Sequence, residues 1–380
     1  MPLFPYDPGP LGGRLAELDS WRTRLDHRGL LPRRWTGRLR RDLEAEAIAA
    51  STSMEGVAVT VEEVRRILAG VEAPAVSQTD RQLVEGYRDA MSFVLRRADD
   101  DAFRWTSELI IGLHDRVLAG RYDLGAGRVR SEESVFLVSS ETGTQVFAPP
   151  DGEHVGALVN EACEVMQSDQ MHPAIASGWI HVAIAAIHPF RDGNGRAARV
   201  LASLAMYRGG FKRAEFTSLE EWWGRHRADY YASFLCLGDR FDAKADVTSF
   251  LATHIDAQLH QVRAIDLRER VQRQVWVSLE DIAADSSLPE RTANALWDGF
   301  FGHDVTAGFY RAIADVSPAT ATNDLVGTAR AGLLTPVGER RGRRYVATED
   351  LYRRVASLLT LDVAPTREQV IAALTVRASG

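Results

Sequence analysis

Twelve consecutive residues, His188-Pro189-Phe190-Arg191-Asp192-Gly193-Asn194-Gly195-Arg196-Ala197-Ala198-Arg199, concentrate the chemistry of this chain. The His188 imidazole titrates near neutrality and can accept a proton. Asp192 offers a hard oxygen ligand suited to Mg2+ shared with substrate phosphates. Gly193, Asn194 and Gly195 stand directly before a helix, so their N–H groups and the first-turn amides converge where an anion would sit. Arg196 and Arg199 are three apart, share one helical face, and present two forks for phosphate oxygens. Singly, each piece has a plainer use, since a His before Pro is usually structural and a GxG is usually a turn. Arginines in a first helical turn are disfavoured by the helix dipole, which argues for an anionic partner. Together they suit a metal-bound polyphosphate held beside a proton acceptor.

The elements that must position this segment are mostly helical. Apolar periodicity marks helices at Leu39, Leu43, Ala47 and Ile48 and at Val61, Val64, Ile67 and Leu68, then over 78–98, 102–119, 154–167 and 174–187. A further helix runs from Arg196 to Tyr207 and is stopped by Gly209-Gly210. Two β-rich runs, Ser134 to Val138 and Thr144 to Phe147, flank Glu141-Thr142-Gly143 and predict a hairpin over 134–147, ended by Pro149-Pro150. An isolated hairpin is marginal in water, so this one must lean on the helices. Phe190 is expected to anchor the loop in the core.

The whole chain has 380 residues, 45% hydrophobic and 26% charged, which is the composition of an ordinary globular protein of two or three domains. With 52 acidic against 45 basic residues the net charge is -7, which argues against a nucleic-acid coat. Cys163 and Cys236 have no partners at zinc-ligand spacing, no run approaches the ~18 apolar residues of a membrane span, and the first residues lack a signal-peptide pattern. A reducing cytoplasm without membrane attachment is the expectation.

At every specified position, from His188 and Phe190 through Asp192, Gly193, Asn194, Gly195 and Arg196 to Arg199, the segment resembles the Fic family signature HxFx(D/E)GNGRxxR. The approach from Trp179 to Ile187 and the hairpin, in the place of the Fic flap, resemble that family too. The resemblance implies a mainly α fold, a Fic helical core with a β-hairpin flap. It implies transfer of AMP from ATP to a Ser, Thr or Tyr hydroxyl of a protein target, with self-modification as one outcome. His188 would be the base, and Asp192 would hold Mg2+ against the α- and β-phosphates. Asn194, Arg196 and the amides of Gly193 and Gly195 would cradle phosphate, and Arg199 would meet the γ-phosphate. Tyr230 and Tyr231 resemble tyrosines near the adenine, with stacked core aromatics as the plainer reading. The run Val135, Phe136, Leu137 and Val138 would dock the target by strand addition. Family relatives that transfer phosphate usually depart from GNGR, which this chain keeps, and that favours AMP over other groups.

Upstream, Ser51-Thr52-Ser53-Met54-Glu55-Gly56 matches the (S/T)xxxE(G/N) pattern of Fic inhibitory helices. Ser51 and Glu55 share a helical face and Gly56 is suited to end the helix. A glutamate at a helix C-terminus gains most when a cation faces it, and Arg199 is that cation in the family. Removal of AMP by a water that Glu55 orients is an alternative outcome of the same geometry.

Toward the C-terminus, Ser317-Pro318-Ala319-Thr320 is a good N-cap with proline at the first turn. The helix from Thr320, Thr322, Asn323 and Asp324 to Arg330, followed by Arg340, Arg341, Arg343 and Arg344 around a turn, resembles the winged helix-turn-helix module attached to many Fic proteins. The helix lacks the cations that dominate DNA affinity, so protein contact is favoured over DNA contact. The expected organisation is an N-terminal helical region over 1–100 with the inhibitory helix around 44–56, a catalytic core over 101–245, a connector over 246–275, the winged module over 276–360 and a tail over 361–380. A homodimer is compatible with this plan. The rival to an enzyme is a DNA-binding transcriptional regulator with the core as sensor.

Overall fold

A computed structural model describes residues 3–27, 33–131, 134–138, 143–168, 170–212, 219–339 and 342–359. Helices dominate, and the chain divides into two compact units, Met1–Val64 with Ala75–Arg263, and Arg65–Pro74 with Ala264–Gly380.

In the first unit the order is α1 (Gly12–His27), α2 (Arg33–Met54), the first residues of α3 (Val61–Leu68), α4 (Gln78–Arg97), α5 (Ser107–Val117), β1 (Leu137–Val138), β2 (Gln145–Phe147), α6 (Gly152–Ser168), α7 (Pro173–Ile187), α8 (Asn194–Arg208), α9 (Leu219–Arg225), α10 (Arg227–Ser233) and the start of α11 (Thr248–Asp285). The core is α7 packed along α8, with α4 and α5 on α8, α6 on α7, and α2 against α4 and α9. α7 is buried on nearly every side, from Ala174 to Ile187, which is why it reads as an unbroken apolar run rather than an amphipathic stripe. His172 caps it through a ring nitrogen that accepts from the Ala174 N–H, and Pro173 opens its first turn.

α5 is shorter than the 102–119 expected from periodicity, because Thr106 caps its start and the left-handed Ala119 and Gly120 close its end. The hairpin is also shorter than expected, with two paired residues against three and Leu137 opposite Phe147. Its centre, residues 139–142, lies outside the described residues. Phe147 is its buried foot, and Ala148 ties the exit to residues 239–241 through backbone bonds with Asp239 and Phe241. That attachment supplies the support an isolated two-stranded pair lacks.

In the second unit the rest of α11 leads to α12 (Ala293–Phe300), α13 (Ala307–Ala314), α14 (Pro318–Arg330), the antiparallel pair β3 (Leu334–Val337) and β4 (Arg344–Ala347), and α15 (Glu349–Leu358). α11 continues past residue 275, the expected end of the connector, since no glycine or proline interrupts it. Trp297, Tyr310, Leu325, Leu333 and Leu351 fill the core of this unit. Asp324, one of the polar residues noted on this helix from the sequence, is 5% exposed and accepts from Arg291 and from the Tyr310 hydroxyl. Arg340 and Arg341 lie outside the described residues. Arg344 pairs with Asp304 at 3.0 Å. No helix among the described residues is long and apolar enough to cross a membrane.

Candidate active site

α7 ends at Ile187 and delivers His188 in the left-handed region, φ 50° and ψ 59°. A β-carbon makes that conformation costly, so its surroundings must over-determine it. The His188 N–H closes the last turn on the Ile184 carbonyl at 3.0 Å. Arg130 holds the other side, with Nε donating to the His188 carbonyl at 2.8 Å and Nη2 to the Ile187 carbonyl at 3.0 Å.

The following loop is locked by contacts within itself and by α5. Phe190 is fully buried, as expected, with its ring stacked on His114 at 3.6 Å and 1°. Asn194 closes the loop, its Oδ1 accepting from the Phe190 N–H at 2.9 Å and its Nδ2 donating to the Phe190 carbonyl at 2.8 Å. The Asn194 side chain is thus spent inside the loop, and its backbone N–H is what it offers an anion. His114 Nδ1 accepts from the Gly127 N–H at 3.1 Å, which puts the proton on Nε2, and Nε2 donates to the Asp192 carbonyl at 2.8 Å.

Gly193 is the N-cap of α8 at φ 76°, with no side-chain cap, so the first amides of the helix keep open donors. Arg196 is 2% exposed, and only its Nη2 is engaged, 3.2 Å from Asp192 Oδ1. Its Nε and Nη1 are buried without a partner. Two unpaired guanidinium donors beside an uncapped helix start are costly unless an anion meets them.

The partner of the second arginine comes from α2. That helix ends at Met54, followed by Glu55 and a left-handed Gly56 at φ 82°. Its last turn tightens, with the Glu55 N–H on the Thr52 carbonyl at 3.0 Å, which leaves the Ser51 carbonyl outside the ladder. Arg199 takes it, with Nη2 donating to the Ser51 carbonyl at 3.0 Å and to Glu55 Oε1 at 2.8 Å. Nε donates to Ser51 Oγ at 2.9 Å, and Nη1 donates to the Tyr230 hydroxyl at 3.4 Å. Glu55 also lies over the first turn of α8, where a β-carbon on Gly195 would come within 2.3 Å of its Oε1. The carboxylate therefore rests on the surface an incoming phosphate would use.

Tyr230 is 4% exposed and sits among Trp223, Phe234 and Tyr231, its hydroxyl also 3.0 Å from His181 Nε2. Of the two readings open from the sequence, near the adenine or stacked in the core, its surroundings match the stacked core aromatic, and its hydroxyl also reaches Arg199. Tyr231 is 57% exposed and open to a ligand. On the hairpin, Phe136 and Val138 are exposed while Val135 and Leu137 are half-buried.

Burial pushes the His188 imidazole down to about 4, opposed by a hydrogen bond with the Ala185 backbone, assisted by Arg130 and opposed again by Glu55 and Asp192. At neutral pH it is uncharged, with a nitrogen free to take a proton. Burial likewise pushes His114 down to about 4, with its bond to the Asp192 backbone opposing. Burial also works against the Arg199 charge, but Tyr230, Glu55 and Tyr87 outweigh it and hold the guanidinium above its ordinary value.

Nothing in the sequence singled out His114 or Arg130. Their partners lie 78 and 58 residues away, beyond any local pattern.

A sequence profile of the Fic/DOC family matches residues 104–206, the segment that contains both this loop and His114. A Fido domain-containing protein of Dictyostelium discoideum is 31% identical over 136 residues, a match covering 35% of this chain and 87% of that one. The chain belongs to the Fic/DOC family. A protein of Nematostella vectensis named Protein adenylyltransferase Fic is 31% identical over 169 residues, covering 42% of this chain and 37% of its own length. The chain thus spans under two fifths of the length of that relative. The crystal structure of a Fic family protein from Desulfovibrio desulfuricans G20 shares the fold, with a TM-score of 0.58 over 92% of this chain and 98% of that one at 22% identity.

The histidines predict a pH dependence of stability. Folded values of about 4 for His114 and His188, against about 6.5 unfolded, mean that the unfolded chain takes up these protons first. Their contribution is complete above about pH 6.5 and is lost as the pH falls toward 4. Urea midpoints are expected to drop between pH 7 and pH 5, and His114→Gln is expected to shrink that drop by roughly 1–2 kcal/mol. An unchanged difference between the two pH values would count against a buried neutral His114.

Proposed function

We propose that this chain transfers AMP from ATP to the hydroxyl of a protein side chain, and that α2 keeps it idle by occupying Arg199. The observation that carries the reading is the contrast between two arginines on one helical face. Arg199 is fully partnered by Ser51, Glu55 and Tyr230, while Arg196 keeps buried donors bare beside an uncapped helix start. The adenylyltransferase named among the relatives supports the same reading.

Asp192 suits Mg2+. Its Oδ1 is engaged by the Gly193 N–H and Arg196, and its side chain is 42% exposed. A partly exposed carboxylate beside a phosphate site is the donor that Mg2+ shares with substrate phosphates. Bound there, the ion would neutralise phosphate charge. The free nitrogen of His188 takes the proton of the acceptor hydroxyl as its oxygen bonds to the α-phosphorus and the bond to pyrophosphate breaks. The first-turn amides of α8 and Arg196 stabilise the charge on the α- and β-phosphates, and Arg199, once free, binds the γ-phosphate. The exposed Phe136 and Val138 flank a strand to which an extended target segment adds.

Glu55→Gly is expected to raise self-labelling by radiolabelled ATP and Mg2+ by tenfold or more, on the order of 1.4 kcal/mol or more of released barrier. His188→Ala in that background is expected to abolish it. Mass spectrometry of the adduct distinguishes AMP from other groups, and loss of label on standing would favour AMP removal. No gain from Glu55→Gly would refute the autoinhibited transferase.

We read α13, α14 and the β3–β4 pair as a winged helix-turn-helix used for contact with a protein rather than DNA. α14 carries no cation before Arg330, and Arg344 is already paired with Asp304, which supports that reading. Gel shifts with duplex DNA are expected to disappear at physiological salt. Retention of a shift there would favour the DNA-binding reading.

A further inference from the structure

We infer that Arg130 is the positioning residue for the base, a single buried guanidinium that clamps the stem of the hairpin to the end of α7 and so sets where His188 stands relative to a docked hydroxyl. The inference rests on the reading of His188 as the base.

Arg130 is 5% exposed. Its Nε donates to the His188 carbonyl at 2.8 Å, and its Nη2 to the Ile187 carbonyl at 3.0 Å and the Pro150 carbonyl at 2.6 Å. The first two belong to the end of α7, whose last carbonyls have no helical donor and whose dipole favours a cation. The third lies on the far side of the hairpin, 20 residues along the chain. One side chain therefore joins the strand that enters the hairpin, the residue that leaves it and the backbone of the base.

The main chain reinforces the clamp. The Arg130 N–H donates to the Pro189 carbonyl at 2.9 Å, and Val129 forms an antiparallel bridge with Phe190. The left-handed His188 is thus held from its own carbonyl and from the next peptide. Three carbonyls from two segments call for a planar fork with several donors, which lysine lacks. If a target segment adds to the hairpin, its register against His188 is transmitted through this guanidinium. A displacement of about 1 Å at such a point costs on the order of a hundredfold in rate.

The same residue acts on the charge state of the base. The charged groups that act on His188 are Arg130, which favours the neutral ring, and Glu55 and Asp192, which oppose it, alongside the hydrogen bond with Ala185. Geometry and charge can be separated, because Arg130→Lys keeps the charge and loses the fork while Arg130→Gln loses both.

The test uses the full-length chain with 13C-labelled histidine, titrated by NMR, with His188→Gln identifying the His188 resonance. Arg130→Gln is expected to move the His188 titration to higher pH, and Arg130→Lys to leave it near the parent. In the Glu55→Gly background both variants are expected to lower the self-labelling rate by about tenfold or more, with the affinity for ATP within about twofold. An unmoved titration in Arg130→Gln, or a loss of ATP affinity that tracks the loss of rate, would overturn the inference. Absence of labelling in Glu55→Gly alone would sink the transferase reading instead, while the His188 titration still decides the part played by Arg130.

Discussion

A guanidinium buried to 2% exposure cannot stand alone, and the site is organised around that constraint at Arg199. In the resting arrangement α2 supplies what the charge needs, a carboxylate, a hydroxyl and a carbonyl that its own tightened last turn has released. The end of α2 gains as well, since its dipole and the Glu55 that follows its last residue both favour a cation. A phosphate arriving at the start of α8 offers an equivalent anion. On the proposed reading the two partners would compete for one cation that must always be paired, so that neither state would strand a buried charge. Such a device switches at low cost.

The loop that would do the chemistry is held rigid for related reasons. Its two left-handed residues, His188 and Gly193, bracket a turn whose remaining freedom is removed by Asn194 from within and by His114 and Arg130 from outside. Burial keeps both histidines neutral, and each has a distinct task. His114 spends both ring nitrogens on holding backbone, whereas His188 keeps one for a proton.

Much of the site is local in the chain and therefore legible there. His188, Asp192, Gly193 and Arg199 stand in one loop and one helical turn, and the four-residue spacing puts Ser51 and Glu55 on one face, whereas Arg199 as their partner is what the resemblance to Fic inhibitory helices implies. The helical class follows from periodicity, although α5 ends where Thr106 and Ala119 decide and not where the apolar pattern does. What escaped is what depends on meeting a distant partner. The reach of the Tyr230 hydroxyl to Arg199, and of Asp324 to Arg291 and Tyr310, is of this kind. His114 and Arg130 look like ordinary members of a helix and a loop until the fold brings them to the Asp192 and His188 carbonyls. The unbroken run of α11 past residue 275 is readable from the absence of glycine and proline.

The central claim is that Glu55 and the γ-phosphate share Arg199. Calorimetric titration with ATP and with ADP, in the presence of Mg2+, isolates that contact without relying on turnover. In the parent chain the two nucleotides are expected to bind with similar affinity, because Glu55 withholds the cation that would distinguish them. In Glu55→Gly the preference for ATP is expected to rise by about tenfold, equivalent to ~1.4 kcal/mol, and to vanish when Arg199→Ala is added. A parent that already prefers ATP by the same factor as Glu55→Gly would contradict the account.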